Sequence, residues 1–298
     1  MSNYRTPQNL VAMIRRVETM TGRRRAGLYA IEGTRLVERA LRAGAPLEAV
    51  LMAERPAADT DTRAVALRAA LAAAGCPVVV AADSVLDELT GGRDLGLIIG
   101  LVRLPAALTL GDVLAPATTD HRPPTAPSPL LPFSLSPPPP RPPAPLLLLA
   151  AVDIRDPGNV GALTRTAHAA GARALLVTGM ADPYHPRATR ISRGSIFKLP
   201  VVQYETGDAL LGDLRRHNVA AVAAVAGDGM PLPALVWPDH PAAILMGNEG
   251  EGLSPELLNG VEIRVTIPMV AGVDSYSVNA AAAIILYSAQ LSYGKVQP

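Results

Sequence analysis

The sequence predicts an α/β protein with two unequal domains, the second built on a mostly parallel sheet. Three observations carry this prediction. Short apolar runs alternate with helix-like runs along both halves of the chain, the pattern of strands joined by helical crossovers. A stretch at 116–145 holding thirteen prolines separates the halves. Three segments of the second half, rich in Gly, Pro or Asn, each stand where an apolar run stops and a helical run starts. Open α/β sheets present backbone donors and reactive side chains at such places.

In the first half, Leu10, Met13, Ile14 and Val17 recur at helical spacing, as do Leu36, Val37, Ala40 and Leu41, which predicts helices over 8–20 and 33–43. Gly44 fits a helix stop. Residues 50–52 and 78–80 read as strands around a helical 63–74, and 97–102 supplies another strand. The domains expected are a basic helical segment at 1–25, a small α/β layer at 26–104, a linker at 105–145 and a larger domain at 146–298. Proline lacks a donor and fixes φ, so the linker cannot join a sheet. Fully extended, its proline-dense part at 116–145 would reach roughly 90 Å. In the second half, 146–152, 174–178, 201–204, 219–225, 242–246 and 262–266 read as strands. Helices are expected over 160–170, 209–217 and 278–292, with Gly171 just past the first of them.

Composition narrows the function classes. A chain of 298 residues with 49% hydrophobic and 18% charged residues can bury a core in each of two domains. Its apolar runs are too short to span a bilayer, and its first residues lack the apolar core of a secretory signal, so a cytoplasmic protein without membrane contact is expected. Cys76 is the only cysteine, which excludes an internal disulfide and a cysteine zinc cage. The five histidines fall in no HxH or HxxxH spacing, and no metal is expected. The net charge of +1 hides a cluster of nine arginines within the first 42 residues, against Glu18, Glu32 and Glu38. Arg15, Arg16, Arg23, Arg24, Arg25 and Arg35 are the candidate contacts to a polyanion, since each neutralised phosphate releases counterions. A solvated helix face accounts for the same cluster.

The first of the three segments is Asp156-Pro-Gly-Asn-Val-Gly-Ala-Leu-Thr-Arg165. Pro157 and Gly158 end the strand, and Asn159 is suited to cap the next helix. Arg165 follows in that helix's second turn. The second segment, Gly247-Asn-Glu-Gly-Glu-Gly252, lacks the Lys-Ser/Thr of a P-loop and the spacing of a dinucleotide fingerprint. Gly247 lets a backbone approach a ligand without a Cβ between them, and Glu249 places a carboxylate at the same edge. The third segment runs from Ile267-Pro-Met269 to Ser275-Tyr-Ser277, with Asn279 just beyond. Each alone is also explained by a capped helix or a glycine-rich turn.

Together and in this order, the three segments resemble the signature motifs of the SpoU (TrmH-like) branch of the SPOUT RNA methyltransferases, over about 146–293. The stretch from Tyr29 to Ala40 resembles the opening of the L30e-like substrate-binding domain of rRNA-directed members. The resemblance implies a deep trefoil knot, a homodimer formed through the knotted domain, and S-adenosylmethionine (AdoMet) as methyl donor. It implies catalytic roles for Arg165, Asn159, Glu249, Ser275 and Ser277, and AdoMet contacts at Gly247, Ile267, Met269 and Tyr276. The family usually reads Ser-Leu-Asn where this chain has Ser275-Tyr276-Ser277, so Ser277 or Asn279 stands in for the family asparagine. The activity implied is 2′-O-methylation of a ribose in RNA, of 23S type before tRNA. An RNA-binding ribosome-assembly factor is the alternative outside enzymes.

Overall fold

The computed structural model describes residues 4, 6–57, 62–93, 95–115 and 145–294. The first half folds in the order α1 (Pro7–Arg16), α2 (Met20–Ala26), β1 (Leu28–Glu32), α3 (Thr34–Arg42), β2 (Leu47–Ala53), α4 (Glu54–Ala57), α5 (Thr62–Ala73), β3 (Val78–Ala81), α6 (Asp83–Thr90) and β4 (Ile98–Arg103). Its sheet has the order β1-β4-β2-β3, in which only β2 and β3 run parallel. The helix expected over 8–20 is two helices. Thr19 breaks it, because its hydroxyl accepts from Gly22 N at 3.0 Å and starts α2 as an N-cap. The basic segment at 1–25 is not a separate arm: Leu10, Ile14 and Val17 are buried against the sheet with Leu51 and Ile99.

A short helix, α7 (Leu110–Leu114), follows, inside the stretch expected as linker. Thr109 and Asp112 close a reciprocal capping box on it. Leu110 and Val113 are buried in the core of the second half. The proline-dense residues 116–144 lie outside the described residues.

The second half runs β5 (Leu147–Ala151), α8 (Pro157–Ala169), β6 (Leu175–Thr178), α9 (Pro186–Ile191), a 3-10 turn (Ser195–Phe197), β7 (Val201–Tyr204), α10 (Gly207–Arg216), β8 (Ala220–Ala224), β9 (Met230–Pro231), a second 3-10 turn (Leu232–Ala234), β10 (Ala242–Met246), α11 (Pro255–Asn259), β11 (Ile263–Thr266) and α12 (Val278–Ser292). Seven strands form one sheet, β7-β6-β5-β10-β8-β11-β9, with every neighbouring pair parallel. The central strands β5 and β10 are buried at every residue, as a sheet covered on both faces requires. Helices α8 and α12 cover one face; α7, α10 and α11 cover the other. Gly171, at φ +65°, ends α8 in the left-handed conformation, as its position predicts.

The two halves are packed together rather than tethered. Edge strand β1 lies against α9, and one apolar core joins Tyr29, Ile31 and Leu36 to Leu149, Val160 and Tyr184. The Tyr29 and Tyr184 rings meet at 5.0 Å. Glu32, itself buried, takes Arg190 at 2.9 Å across the seam and Arg93 at 3.1 Å from its own side. Arg23, only 3% exposed, pairs with Asp182 and donates to the carbonyls of Val17 and Glu18 at 2.7 and 2.8 Å. A covered edge strand also hides the unpaired backbone groups that would recruit another chain. Among the described residues, no helix is long and apolar enough to cross a membrane.

Candidate active site

Strands β10, β8 and β11 are neighbours, and their carboxyl ends surround one cavity of about 610 Å³. Parallel sheets leave such crevices beyond their strand ends, and the volume falls in the range of small-molecule sites. Asn159, Gly247, Glu249, Ile267, Met269, Ser275, Tyr276 and Ser277 all line it. Residues separated by more than a hundred positions therefore meet in one place. Met246, Leu253 and Ile285 supply apolar wall, and Asn248 and Asp274 add polar groups that sequence reasoning did not single out.

Helix α8 starts with Pro157 at its first position and Asp156 as its cap, accepting from Gly158 N. This corrects the expectation that Asn159 caps the helix. Asn159 lies one turn inside, and its side-chain amide donates to Glu249 Oε1 at 2.7 Å. The first and second segments are thereby joined, and the glutamate is aimed along the cavity wall. Gly161 lets α8 approach α9, since a Cβ there would stand 2.3 Å from the Ala188 carbonyl oxygen. Arg187 of α9 reaches back to Asp156 at 3.2 Å.

The glycine-rich loop closes on itself. Asn248 and Gly252 exchange backbone hydrogen bonds of 3.0 and 2.9 Å. The Asn248 side chain accepts from Gly250 N at 2.9 Å and donates to the Asp153 carbonyl at 3.1 Å. A Cβ on Gly247 would lie 2.3 Å from the Gly252 carbonyl carbon. The glycine is thus required by the loop's own closure, which adds a reason to the ligand approach expected of it. The signal for Asn248 was present: Asn before a Gly-containing turn folds its side chain onto the backbone two residues on.

At α12, Ser277 is the N-cap and accepts from Ala280 N at 3.4 Å. Asn279 faces away from the cavity and accepts from the Thr166 hydroxyl of α8 at 2.7 Å. Ser277, not Asn279, therefore stands at the cavity. Arg165 does not line it. Six residues beyond Asn159, about 9 Å farther along the helix axis, it is exposed and has no side-chain partner among the described residues. Of the basic candidates, Arg23 is removed from any nucleic-acid surface by its burial in the seam. Arg15 pairs with Glu88 at 2.6 Å, while Arg16, Arg24, Arg25 and Arg35 are exposed. Among the described residues, no three His, Cys, Asp or Glu side chains are placed to hold a metal ion.

A parallel α/β domain with a nucleoside-sized cavity at its strand ends, docked to a small mixed-sheet domain, defines a two-domain ligand-binding α/β class. Within it, residues 146–287 match the SpoU rRNA Methylase family and residues 5–94 an MRM3-like substrate binding domain. Residues 146–287 thus form a domain similar to the SpoU rRNA methylases, the family that the three segments resemble. It is 32% identical over 143 residues to the 23S rRNA (guanosine(2553)-2'-O)-methyltransferase RlmP of Bacillus subtilis, covering 48% of this chain and 56% of that protein. An uncharacterized tRNA/rRNA methyltransferase of Synechocystis is 27% identical over 290 residues, covering 96% of this chain and 92% of that one. The alignment to RlmP thus spans little more than half of that relative's length. The AdoMet-bound SpoU methyltransferase AviRb of Streptomyces viridochromogenes shares the fold, with a TM-score of 0.76 at 24% identity over 97% of this chain and 98% of that one.

Proposed function

We propose that the protein transfers a methyl group from AdoMet to the 2′-oxygen of a ribose in rRNA, of the 23S type. The observation that carries this reading is the convergence of all three sequence segments on one cavity, with Asn159 and Glu249 joined at 2.7 Å. The cavity fits AdoMet: its volume is sufficient, Met246, Leu253 and Ile285 offer apolar wall, and the strand-end loops offer backbone groups. Gly247, Ile267, Met269 and Tyr276 would hold the cofactor, which supplies an activated methyl group on a sulfonium.

The chain's own residues must present the nucleophile and manage its proton. Ser275, exposed at the cavity rim, orients the ribose hydroxyl, and Glu249 is kept in place by Asn159. Arg165 holds the phosphate adjacent to the reacting ribose. A guanidinium stays protonated in proteins, so it acts as a charge and donor pair rather than as a base. The O–CH₃ bond forms as the S–CH₃ bond breaks, and the hydroxyl proton leaves to phosphate or water. Arg165 stands outside its own cavity, so a substrate spanning from α8 to the strand ends is required. The deep trefoil knot and the cytoplasmic setting belong to the same reading.

Dimerisation is part of it as well. Ile284, Tyr287 and Leu291 form an exposed apolar stripe on α12 at 36%, 51% and 39% exposure, while the helix's other face is buried on α8 and the sheet. A second copy of the chain is the partner that such a stripe beside the cavity would take.

Incubation with labelled AdoMet and separate rRNA and tRNA pools, followed by mapping of the modified ribose, tests the proposal. Label in 23S rRNA at a 2′-oxygen is expected. Label confined to tRNA would move the substrate class. RNA binding with no transfer to either pool would make the chain an assembly factor.

A further inference from the structure

We infer that a basic stripe crossing the domain seam, Arg35 and Arg39 on α3, Arg193 and Lys198 beside the first 3-10 turn, and Arg165 on α8, is the track for the RNA phosphate backbone. It deepens the methyltransferase reading and rests on it only for the claim that the RNA held is the RNA modified.

The stripe is contiguous. Arg35 and Arg39 are four residues apart on α3 and share a face. Arg39 crosses the seam to donate to the Arg193 carbonyl, and its side chain packs on Gly194, where a Cβ would lie 2.9 Å away. Ser195 then meets His168 Nδ1 at 3.1 Å, and His168 is one turn beyond Arg165 on α8. Lys198 sits near enough to His168 to reinforce the lowering of its pKa, which is caused first by burial.

The charge of the stripe is not neutralised locally. Arg165, Arg193 and Lys198 are exposed and have no acidic partner among the described residues, while the exposed Arg35 shares Glu38 with Arg63 and Arg42. The nearby acids are engaged elsewhere: Glu38 by Arg63 at 2.6 Å, and Glu32 by Arg190 and Arg93. Most other arginines among the described residues are paired with acids, including Arg15, Arg55, Arg103 and Arg216. Neighbouring cations that span the seam, with the arginine proposed to act beside the reacting ribose among them, fit a polyanion with regularly spaced charges.

Arg193 adds a second observation. It holds a left-handed backbone at φ +51°, followed by Gly194 at φ +88°. A residue with a Cβ is strained there and glycine is not. The long basic side chain thus occupies a position that the backbone alone would give to glycine, and the strain points to a use for that side chain.

That strain makes the test clean, because Arg193→Gly removes the charge while relieving the backbone. The full chain carrying Arg193→Gly and Lys198→Gln is titrated with unmodified 23S rRNA transcript over a series of salt concentrations. Expected are a rise of roughly tenfold in Kd and a salt slope reduced by about one per lost contact. The melting temperature should be no lower, and AdoMet affinity by calorimetry should not change. Arg216→Gln, which removes one positive charge from α10 on the other face of the sheet, should leave the slope as it was. Methyl transfer by the wild type is measured in parallel. An unchanged slope in the double variant with active wild type overturns the stripe and leaves the methyltransferase reading standing; an acidic protein partner would then be its occupant. A reduced slope with an inactive wild type keeps the stripe and removes that reading.

Discussion

Arg165 and His185 show how a single side chain can be tested apart from the fold around it. Arg165 is exposed on α8 and does not line the cavity, so Arg165→Ala should leave AdoMet affinity nearly intact. Methyl transfer should fall by at least about 10²-fold, the scale for loss of one charge-stabilising donor. Arg165→Lys should fail as well, because a point charge does not reproduce a bidentate clamp on phosphate. Single-turnover transfer beside calorimetry separates the two effects; near-normal turnover by the lysine variant would sink the geometric argument. His185 caps α9 by accepting from Arg187 N at 3.1 Å through Nδ1, which requires a neutral ring. Burial first, then Arg23, Arg187 and Arg190, hold its pKa below the usual histidine value, with Asp182 opposing. The unfolded chain therefore binds this proton more readily than the folded one. Stability from this group is present above the unfolded pKa and is lost as pH falls through about 6.5 toward the folded value. His185→Asn keeps a capping side chain without titration. It should flatten the change in melting temperature between pH 7.5 and 5.5, and an unaltered pH profile would count against this assignment.

At the scale of elements, α12 joins the cavity to the rest of the domain through its first turn. Ser277 both caps the helix and stands at the cavity, whereas Asn279 ties α12 to α8. Asparagine caps as well as serine does, so Ser277→Asn should keep stability within about 0.5 kcal/mol. Asn279→Ala removes the acceptor for Thr166 and should cost about 1 kcal/mol. Chemical denaturation of both variants checks this, and equal losses would contradict the division of labour. Sequence periodicity located α12 to the residue but could not say which side chain faced α8, because that depends on where the helix lands. The same limit explains the arginines of α2. Three consecutive arginines on a helix point about 100° apart, so they cannot share a surface. Thr19 starts α2 inside the stretch expected as one helix, and only the seam shows that Arg23 is the one turned inward. On the outer face of α12, Tyr287→Glu should convert a dimer to a monomer in sedimentation. A monomeric wild type would remove that role from the stripe.

For the whole molecule, the domain seam is the main departure from expectation. A shared apolar core and the buried Arg23–Asp182 pair mean that residues 146–298 alone would expose Tyr184, Asp182 and α9. Breaking a buried pair by removing one partner typically costs about 3–5 kcal/mol. Arg23→Gln should therefore lower the stability of the full chain by an amount near that range, and a cost below about 0.5 kcal/mol would show a loose seam. The proline-dense stretch has both its ends on the second domain. Arg173 donates from its side chain to the Val113 and Ala115 carbonyls at 3.0 and 3.3 Å, and from its backbone to the Leu147 carbonyl at 2.7 Å. One residue touches both sides of the excursion. Replacing 116–144 with about six Gly/Ser residues, a common connection length, should leave the melting temperature unchanged. A large drop would mean that those residues pack on the domain.

The sequence alone determined six strands and three helices of the second half, several to the residue, because apolar periodicity and capping chemistry are local; the short α9, β9 and α11 were not legible in it. It also singled out the three segments that converge on the cavity, since Gly, Pro and Asn at strand ends report backbone requirements that short-range sterics impose. Only the tertiary structure decided what meets what. Asn159 reaches Glu249 across ninety positions, Ser277 rather than Asn279 faces the cavity, and Arg23 closes a seam instead of an RNA surface. Such pairings follow from the register of a closed sheet and the packing of one domain on another, and no local pattern encodes the distance between residues that only folding brings together.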